Sequence, residues 1–472
     1  MNTEQIRNAY LKFFEERGHA VVPRAPLVLG DDPTTLFTGS GMQPMIPYLL
    51  GEQHPDGVRL TDSQTCIRAQ DIDDVGDNRH TTFFEMLGNW SLGDYFKDEQ
   101  LEWIAEFMFD IVGLDPQKVY VSCYIGNDTY GIPRDNKAIE LWTKIFADRG
   151  IDAKVVEIGS AENGDKLGMQ GGRIFLYDGK ENWWSRNGSP ETTPIGDPCG
   201  PDSEMFYDFG TPHDPSFGEF CHPNCDCGRF MEIGNNVFMA YRKVTDGKFE
   251  ELEQKNIDHG SGLERIAAAK LGDPDVFKIS LMWPIVEKLQ ELSGKTYENH
   301  TESMRVIADH LRAATFLAVD GCVPSNKEQG YVMRRLLRRA IRYSFDLGIE
   351  QNFLEEIVPV IAGLYASDFP EVADNRKTII AVLVKEEKAF RQTLRKGIAQ
   401  MQKFASDGLT GAELFMLYDT YGFPVELAVE EATKQGVVLP EDWREQFDAK
   451  MQEQRERSQT AAKGTFKGGL GG

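Results

Sequence analysis

Two stretches of the chain carry residue types able to handle a nucleoside triphosphate. The first runs from Cys66 to Lys97. In it Arg68 precedes an acidic, turn-forming loop (Asp71 to Asn78), and Arg79, His80, Phe83 and Phe84 follow the loop. A guanidinium forks onto phosphate oxygens and an aromatic face stacks on a purine, so this set suits a triphosphate site that lacks a P-loop. A plainer account is also open, with both phenylalanines in the core and the cations simply solvated. The second stretch is Asp258-His259-Gly260-Ser261-Gly262-Leu263-Glu264-Arg265. Gly260 and Gly262 let a ligand approach the backbone at the mouth of a helix, and Arg265 projects from its first turn. A G-x-G alone is weak evidence; the pairing of the two stretches is what carries weight.

A third chemical signal is Cys221-His222-Pro223-Asn224-Cys225-Asp226-Cys227, with Cys199 upstream. Three thiols and the imidazole of His222 form a ligand set for a tetrahedral structural zinc, with no open position for catalysis. The alternative is a loop of free cysteines in a reducing compartment.

These groups need elements to hold them. Two extended runs around the acidic loop read as a β-hairpin with a long tip. Ile6, Tyr10, Phe13 and Phe14 recur at helical spacing within residues 3–17, and Leu101 to Ile111 repeat the pattern. Strands are expected at 119–125 and 153–158, with a helix at 137–147 between them. Residues 23–45 read as strands and turns, and 181–208 as mostly turns. The run Phe230–Lys243 reads as a strand that puts Asn235 and Val237 on one face. From about 275 to 464 nearly everything reads as helix. The fold class expected is α+β, a sheet flanked by helices, followed by an all-helical domain.

The 472 residues suffice for two or three domains, and 51 Lys and Arg against 75 Asp and Glu give a net charge of −24. So acidic a chain is not a general DNA or RNA coat. Against that background residues 301–343 hold eight Lys or Arg and four Asp or Glu. Within them Arg334, Arg335, Arg338, Arg339 and Arg342 form a stripe at helical spacing, expected to meet an RNA backbone rather than only solvent. No apolar run is of membrane-spanning length, the start is polar, and seven cysteines do not make a secreted framework. A cytoplasmic protein is expected, with no membrane partner.

Both stretches closely resemble motifs 2 and 3 of the class II aminoacyl-tRNA synthetases. RHTTFFEMLGNWSLGDYF, DHGSGLERIA, RVIADHLRAATFLAVDG, GYVMRRLLRRAIR and LYDTYGFPVEL resemble the alanine-specific family within that class, over essentially the whole chain. The resemblance implies a class II antiparallel sheet, and activation of L-alanine by ATP with Mg²⁺ before transfer to the 3′ end of tRNA(Ala). It implies Arg68, Asp258 and Arg265 as catalytic residues. For ATP it implies Arg68, Arg79, His80, Phe84, Met86 and Arg265, with Glu232 as a candidate Mg²⁺ ligand. For alanine it implies Met42, Arg68, Trp184, Asn235, Val237, Asp258 and Gly260. Asn326 and Asp419 would approach a G·U pair in the acceptor stem, beside Arg334, Arg335, Arg338 and Arg339. Two departures stand out: Asp202 where a second cysteine is usual, and Gly234 where a bulky aromatic is common.

The domains expected are 1–270 for aminoacylation, 271–464 for acceptor-stem recognition, and a flexible Gly-rich tail at 465–472. The family's editing motif is not found, so serine is expected to be activated and not corrected by this chain. Two other readings compete: a synthetase-like RNA-binding or regulatory protein without catalysis, and a paralogue that loads a carrier other than tRNA.

Overall fold

In the computed structural model, residues 1–29, 35–404 and 408–467 are described, with side chains up to 460. Contacts divide the chain into two compact units, Met1–Glu287 and Lys288–Gly472. Residues 30–34, within the expected strand-and-turn segment, and 468–472 of the expected tail lie outside the described residues; the backbone of Trp443–Lys467 is helical.

The first unit is built on a ten-stranded sheet. Its strands are β1 (Ala20–Val21), β2 (Arg59–Ile67), β3 (Phe83–Leu92), β4 (Val119–Tyr124), β5 (Val155–Gly159), β6 (Ile174–Tyr177), β7 (Trp183–Trp184), β8 (Pro198–Asp208), β9 (Phe230–Thr245) and β10 (Lys248–Gly262). The order is β1-β2-β3-β10-β9-β8-β4-β6-β5, with β7 pairing β8. From β2 to β4 all neighbours are antiparallel; β1 joins β2 in parallel, and β4, β6 and β5 are mutually parallel. Parallel strands need crossovers, and the helices Asn136–Ala147 and Ala161–Leu167 supply covering layers at that end.

The hairpin read from the sequence is β2 and β3, with Ile67 opposite Phe83 and Arg59 opposite Ser91. Two expectations need correction. Among the described residues of 23–45 the expected strands reduce to one isolated bridge, Val28 with Phe37, and the stretch ends in a 3₁₀ turn, Gln43–Met45. The Gly- and Pro-rich segment near 200 is the start of β8, not a turn. The prolines are tolerated because pairing with β9 shifts register between Cys199 and Asp202. Gly200 is required there, since a Cβ would fall 1.8 Å from the carbonyl oxygen of Phe238.

Beneath the sheet, the helix Thr3–Glu15 buries Ile6, Tyr10, Phe13 and Phe14. A chain of buried polar groups pins this layer. Tyr10 donates to Asn89 (2.7 Å), Asn89 to Gln100 (2.6 Å) and Gln100 to Asn236 (2.8 Å); His259 Nδ1 lies 2.7 Å from Asn236 and its Nε2 2.6 Å from Ser261 Oγ. Each group is satisfied by another, which favours one register over its neighbours.

The second unit is helical. Helices Thr301–Val319, Glu328–Asp346, Leu354–Tyr365, Arg376–Phe404, Gly411–Tyr421 and Val425–Lys434 lead to the long final one. Ile341, Phe390, Leu394, Leu414, Phe423 and Ala428 are central to a shared core. No described helix is long and apolar enough to cross a membrane.

Candidate active site

One face of β3, β10 and β9 floors a cleft of about 370 Å³. Alternation along each strand decides what faces it: Phe84 and Met86 from β3, Asp258, Gly260 and Gly262 from β10, Asn235 and Val237 from β9. Met42, Trp184, Arg68, Arg79, His80 and Arg265 line the rest. The residues expected to hold a triphosphate and those expected to hold a small amino acid therefore share one cleft. The neighbours divide cleanly: Phe83 and Trp183 are buried core, while Phe84 and Trp184 are half-buried in the cleft wall.

At one end the groups are cationic. Arg68 is exposed, donates through Nε to the Gly39 carbonyl (3.2 Å), and holds its guanidinium 4.8 Å from the Phe84 ring centroid. Asp77 shapes the hairpin tip by accepting from the backbone N–H of Arg79 (3.0 Å) and His80 (2.8 Å) and from His80 Nδ1 (2.5 Å). Partial burial works against the Asp77 carboxylate, yet those bonds hold its pKa below the usual value. Arg265 follows Gly262, the first cap of helix Leu263–Leu271, and donates to the Glu232 carbonyl (3.2 Å). Behind it Glu232 and Glu204 are both pushed up, first by burial; Arg265 and Arg68 pull Glu232 back, while Glu232 raises Glu204 further.

The other end is small and acidic. Asp258 is 6 % exposed, and burial pushes its pKa up to about 7 although the Trp90 indole donates to Oδ2 (2.6 Å). Trp90 reaches it because Gly88 leaves the space: a Cβ there would sit 2.4 Å from the indole. Asp62 is buried beside it and is raised by burial and by Asp258. The Oδ1 of Asn235 is buried without a hydrogen-bond partner among the described residues. An orphaned acceptor costs about 1–3 kcal/mol, which a ligand donor would recover. Asp202 sits underneath, accepts from Asn182 (3.0 Å), and is raised to about 8, chiefly by burial.

The sequence reading missed Trp90 and Asp62. A signal for Trp90 was present, because the two-residue period through Phe84 and Met86 continues through Gly88 to it. Asp62 is set opposite Gly88 only by the hairpin register.

A family model described as "tRNA synthetases class II (A)" matches residues 5–468. The chain belongs to the class II tRNA synthetases. Among relatives of this synthetase, an alanine–tRNA ligase of Treponema pallidum is 39% identical over 100% of this chain and 74% of that protein. One from Treponema denticola is 40% identical over 99% of this chain and 74% of that protein. A third, from Halalkalibacterium halodurans, is 38% identical over 98% of this chain and 49% of that protein.

The arginine stripe of the synthetase is not the open basic face expected. Arg338, Arg339 and Arg342 are 8 %, 4 % and 3 % exposed. Arg338 donates to Glu386 (2.9 Å), Arg339 to Glu430 (2.9 Å) and Arg342 to Glu431 (2.6 Å). In this acidic chain they are internal counter-ions that tie helix 328–346 to helices 376–404 and 425–434. Arg334 pairs with Glu386 (2.9 Å) and also reaches Asn326 (2.7 Å), and Arg335 is 3.9 Å from Glu426; both are half-buried. Asn326 and Asp419 are exposed, with Asp419 accepting from Gln454 (2.6 Å).

The thiol cluster also differs from the expectation. Cys221, Cys225 and Cys227 converge with His213, not with His222. His222 is buried and turned away, 2.7 Å from the Tyr177 hydroxyl and 3.0 Å from Asp165. Cys199 packs elsewhere, with Tyr124, Ile132 and Trp183.

Proposed function

We propose that the chain joins L-alanine to tRNA(Ala) in two steps, through alanyl-adenylate. The observation that carries this is the single cleft in which cations and an aromatic platform adjoin a small acidic pocket. The alanine carboxylate is ionised at neutral pH and attacks the α-phosphorus of ATP; the bond to pyrophosphate breaks. No general base is required, so the protein's work is positioning and charge stabilisation. Arg68 bridges the α-phosphate and the carboxylate, Arg79 and His80 take the outer phosphates, and Arg265 the γ-phosphate. Phe84 carries the adenine, with backbone near Met86 at its edge. Mg²⁺ suits the corner where Glu232 and Glu204 crowd each other; when bound it draws negative charge off the phosphates. A structural metal at the thiol cluster is part of the same reading, as is a cytoplasmic setting.

Asp258 and the orphaned Asn235 oxygen receive the α-ammonium. Val237, Met42 and Trp184 limit the side chain to about a methyl group, with Gly260 keeping the floor open. The ribose hydroxyl of the tRNA then takes the alanyl group. Asn326 and Asp419 read the G·U pair, with Arg334, which reaches Asn326, and Arg335 as the remaining candidates for phosphate contact.

The test is alanine-dependent ATP–pyrophosphate exchange, then charging of an acceptor-stem minihelix. Exchange with alanine is expected, and replacing G·U by G·C should lower charging by about 10- to 100-fold, the cost of one misread pair. Absence of exchange with alanine in folded protein would overturn the reading.

Asp258 also sets a pH dependence. Only its ionised form pairs with the ammonium, and its free-enzyme pKa is about 7. kcat/KM for alanine should therefore fall about tenfold from pH 8 to pH 6, with the midpoint near 7. Trp90→Phe removes the donor that favours the ionised form, so the midpoint should move upward. A flat profile over that range would show that Asp258 does not bind the ammonium.

A further inference from the structure

The thiol cluster has the dimensions of an ion-binding tetrahedron. The ligand atoms of His213, Cys221, Cys225 and Cys227 all lie within 4.8 Å of one another. Cys221 Sγ is 3.6 Å from Cys227 Sγ, and Cys225 Sγ is 3.8 Å from His213 Nδ1. A tetrahedron with arms of about 2.3 Å, the zinc–thiolate distance, has edges of about 3.8 Å. The histidine is also prepared for the role. Its Nε2 lies 2.7 Å from the Gly218 carbonyl, which fixes the proton there and leaves the Nδ1 lone pair facing the sulfurs. Three thiols and one imidazole close the shell, which fits a structural ion of the zinc class and not a catalytic one.

What the ion would hold is close to the active site. Asp226 lies between two of the ligands, and its carbonyl oxygen accepts from Arg79 Nη2 at 2.8 Å. Gly228, one residue past Cys227, has φ +96°. A Cβ there would fall 2.2 Å from Arg79 Nη1. The guanidinium therefore rests on the short segment 226–228, whose backbone is set by two ligands. Arg79, His80, Cys225, Asp226 and Gly228 line one continuous hollow that also includes Glu232 and Arg265.

We propose that His213, Cys221, Cys225 and Cys227 bind one zinc-class ion, and that this ion fixes the seat of Arg79 so that metal occupancy governs ATP binding. The second half rests on the reading of Arg79 as a phosphate ligand. The ion moves no electrons and forms no bond to substrate. It holds the Asp226 carbonyl and the Gly228 approach in place, and Arg79 is then aimed before ATP arrives. Arg79 is the residue that touches ATP; the four ligands are positioning residues.

The test has three arms. First, elemental analysis of the 472-residue protein, dialysed against metal-free buffer, should give one zinc per chain. Cys225→Ser and His213→Ala should lower it to a small fraction, and cobalt substitution should give the intense thiolate charge-transfer and tetrahedral d–d bands. Zinc absent from the wild type, and no cobalt spectrum on loading, would overturn the site. Second, wild-type protein stripped by chelator should show about a tenfold higher KM for ATP, with KM for alanine within about twofold, and added zinc should reverse this. Gly228→Ala keeps all four ligands, and should keep the zinc yet raise the ATP KM similarly. Zinc bound with no change of ATP KM on removal would overturn the positioning role while leaving the site. Third, Arg79→Ala should raise the ATP KM by itself and abolish its dependence on zinc. If Arg79→Ala leaves the ATP KM unchanged, the phosphate role of Arg79 fails, and the metal measurements of the first arm are unaffected by that failure. Far-ultraviolet circular dichroism of each variant identifies any that lose the fold; the stripped and reloaded wild type needs no substitution.

Discussion

Arg68→Ala is expected to lower kcat for alanine-dependent pyrophosphate exchange by about 10²–10³-fold. Its guanidinium is exposed in the cleft, tethered through one bond to the Gly39 carbonyl and laid over Phe84. That geometry leaves its donors available to oxygens, and oxygens gain charge at the α-phosphorus as the new bond forms. Removing a single aimed donor from such a centre costs about 2.7–4 kcal/mol in transition-state stabilisation. Arg68→Lys should recover little, because an ammonium cannot bridge two oxygens in one plane. The signature is a fall in kcat with a smaller change in KM for alanine, whose ammonium is proposed to meet Asp258. A variant that loses only affinity for ATP would assign Arg68 to ground-state binding instead.

Glu386→Ala is expected to destabilise the helical unit by about 3–5 kcal/mol. Glu386 is 7 % exposed and takes hydrogen bonds from both Arg334 (2.9 Å) and Arg338 (2.9 Å). Arg338 also donates to the Gly422 carbonyl, and its guanidinium carbon lies 4.9 Å from the Phe390 ring centroid. Deleting the shared carboxylate leaves a guanidinium in apolar surroundings with its charge uncompensated, which is the costly way to break a buried pair. Hydrogen exchange resolved to peptides in 328–346 and 376–404 should rise together. Replacing Arg338 and Glu386 both by Met should recover much of the loss, since an apolar pair of similar volume has no charge to desolvate. A destabilisation under about 1 kcal/mol would mean that these arginines turn readily to solvent, and the phosphate-contact role expected from their spacing would regain support.

This second case shows where sequence patterning stops. Helical spacing made Arg334 to Arg342 a stripe, but nothing local in the sequence joins them to Glu386, Glu430 or Glu431, which tertiary packing brings from distant helices. His213 and His222 show the same limit: proximity to the cysteines in sequence favoured His222, whereas the fold curls the preceding loop so that His213 meets them. The cleft was easier to read. Phe84, Met86, Asn235 and Val237 share a face by strand periodicity once the hairpin and the strand near 235 are recognised, because period two assigns a face to every residue. Asp258 and Gly260 were legible only through the glycine motif and the resemblance, since β10 (Lys248–Gly262) was not read as a strand. The strand starting at Pro198 was hidden by its composition, which suits turns elsewhere and suits this position only through a register shift beside Gly200. The face of Trp90 was legible from the same two-residue period, but its reach to Asp258 was not. Its role depends on a neighbour's missing side chain, and Gly88 reads as an ordinary glycine until the indole is seen to occupy its space.

The buried polar chain under β9 and β10 does more than fasten a helix to a sheet. Along β10 the residue beneath the floor, His259, is adjacent to the residue that forms it, Asp258. A shift of one position in this strand would turn Asp258 downward and present an imidazole or an isoleucine to the cleft. His259 accepts no such exchange, because Asn236 and Ser261 hold its two nitrogens. The sign of the charge facing the cleft is thus guarded from the far side of the sheet, by residues that do not line it. Substitutions at Asn236 or Gln100 should accordingly read out first as errors in choosing a substrate, before they read out as loss of the fold.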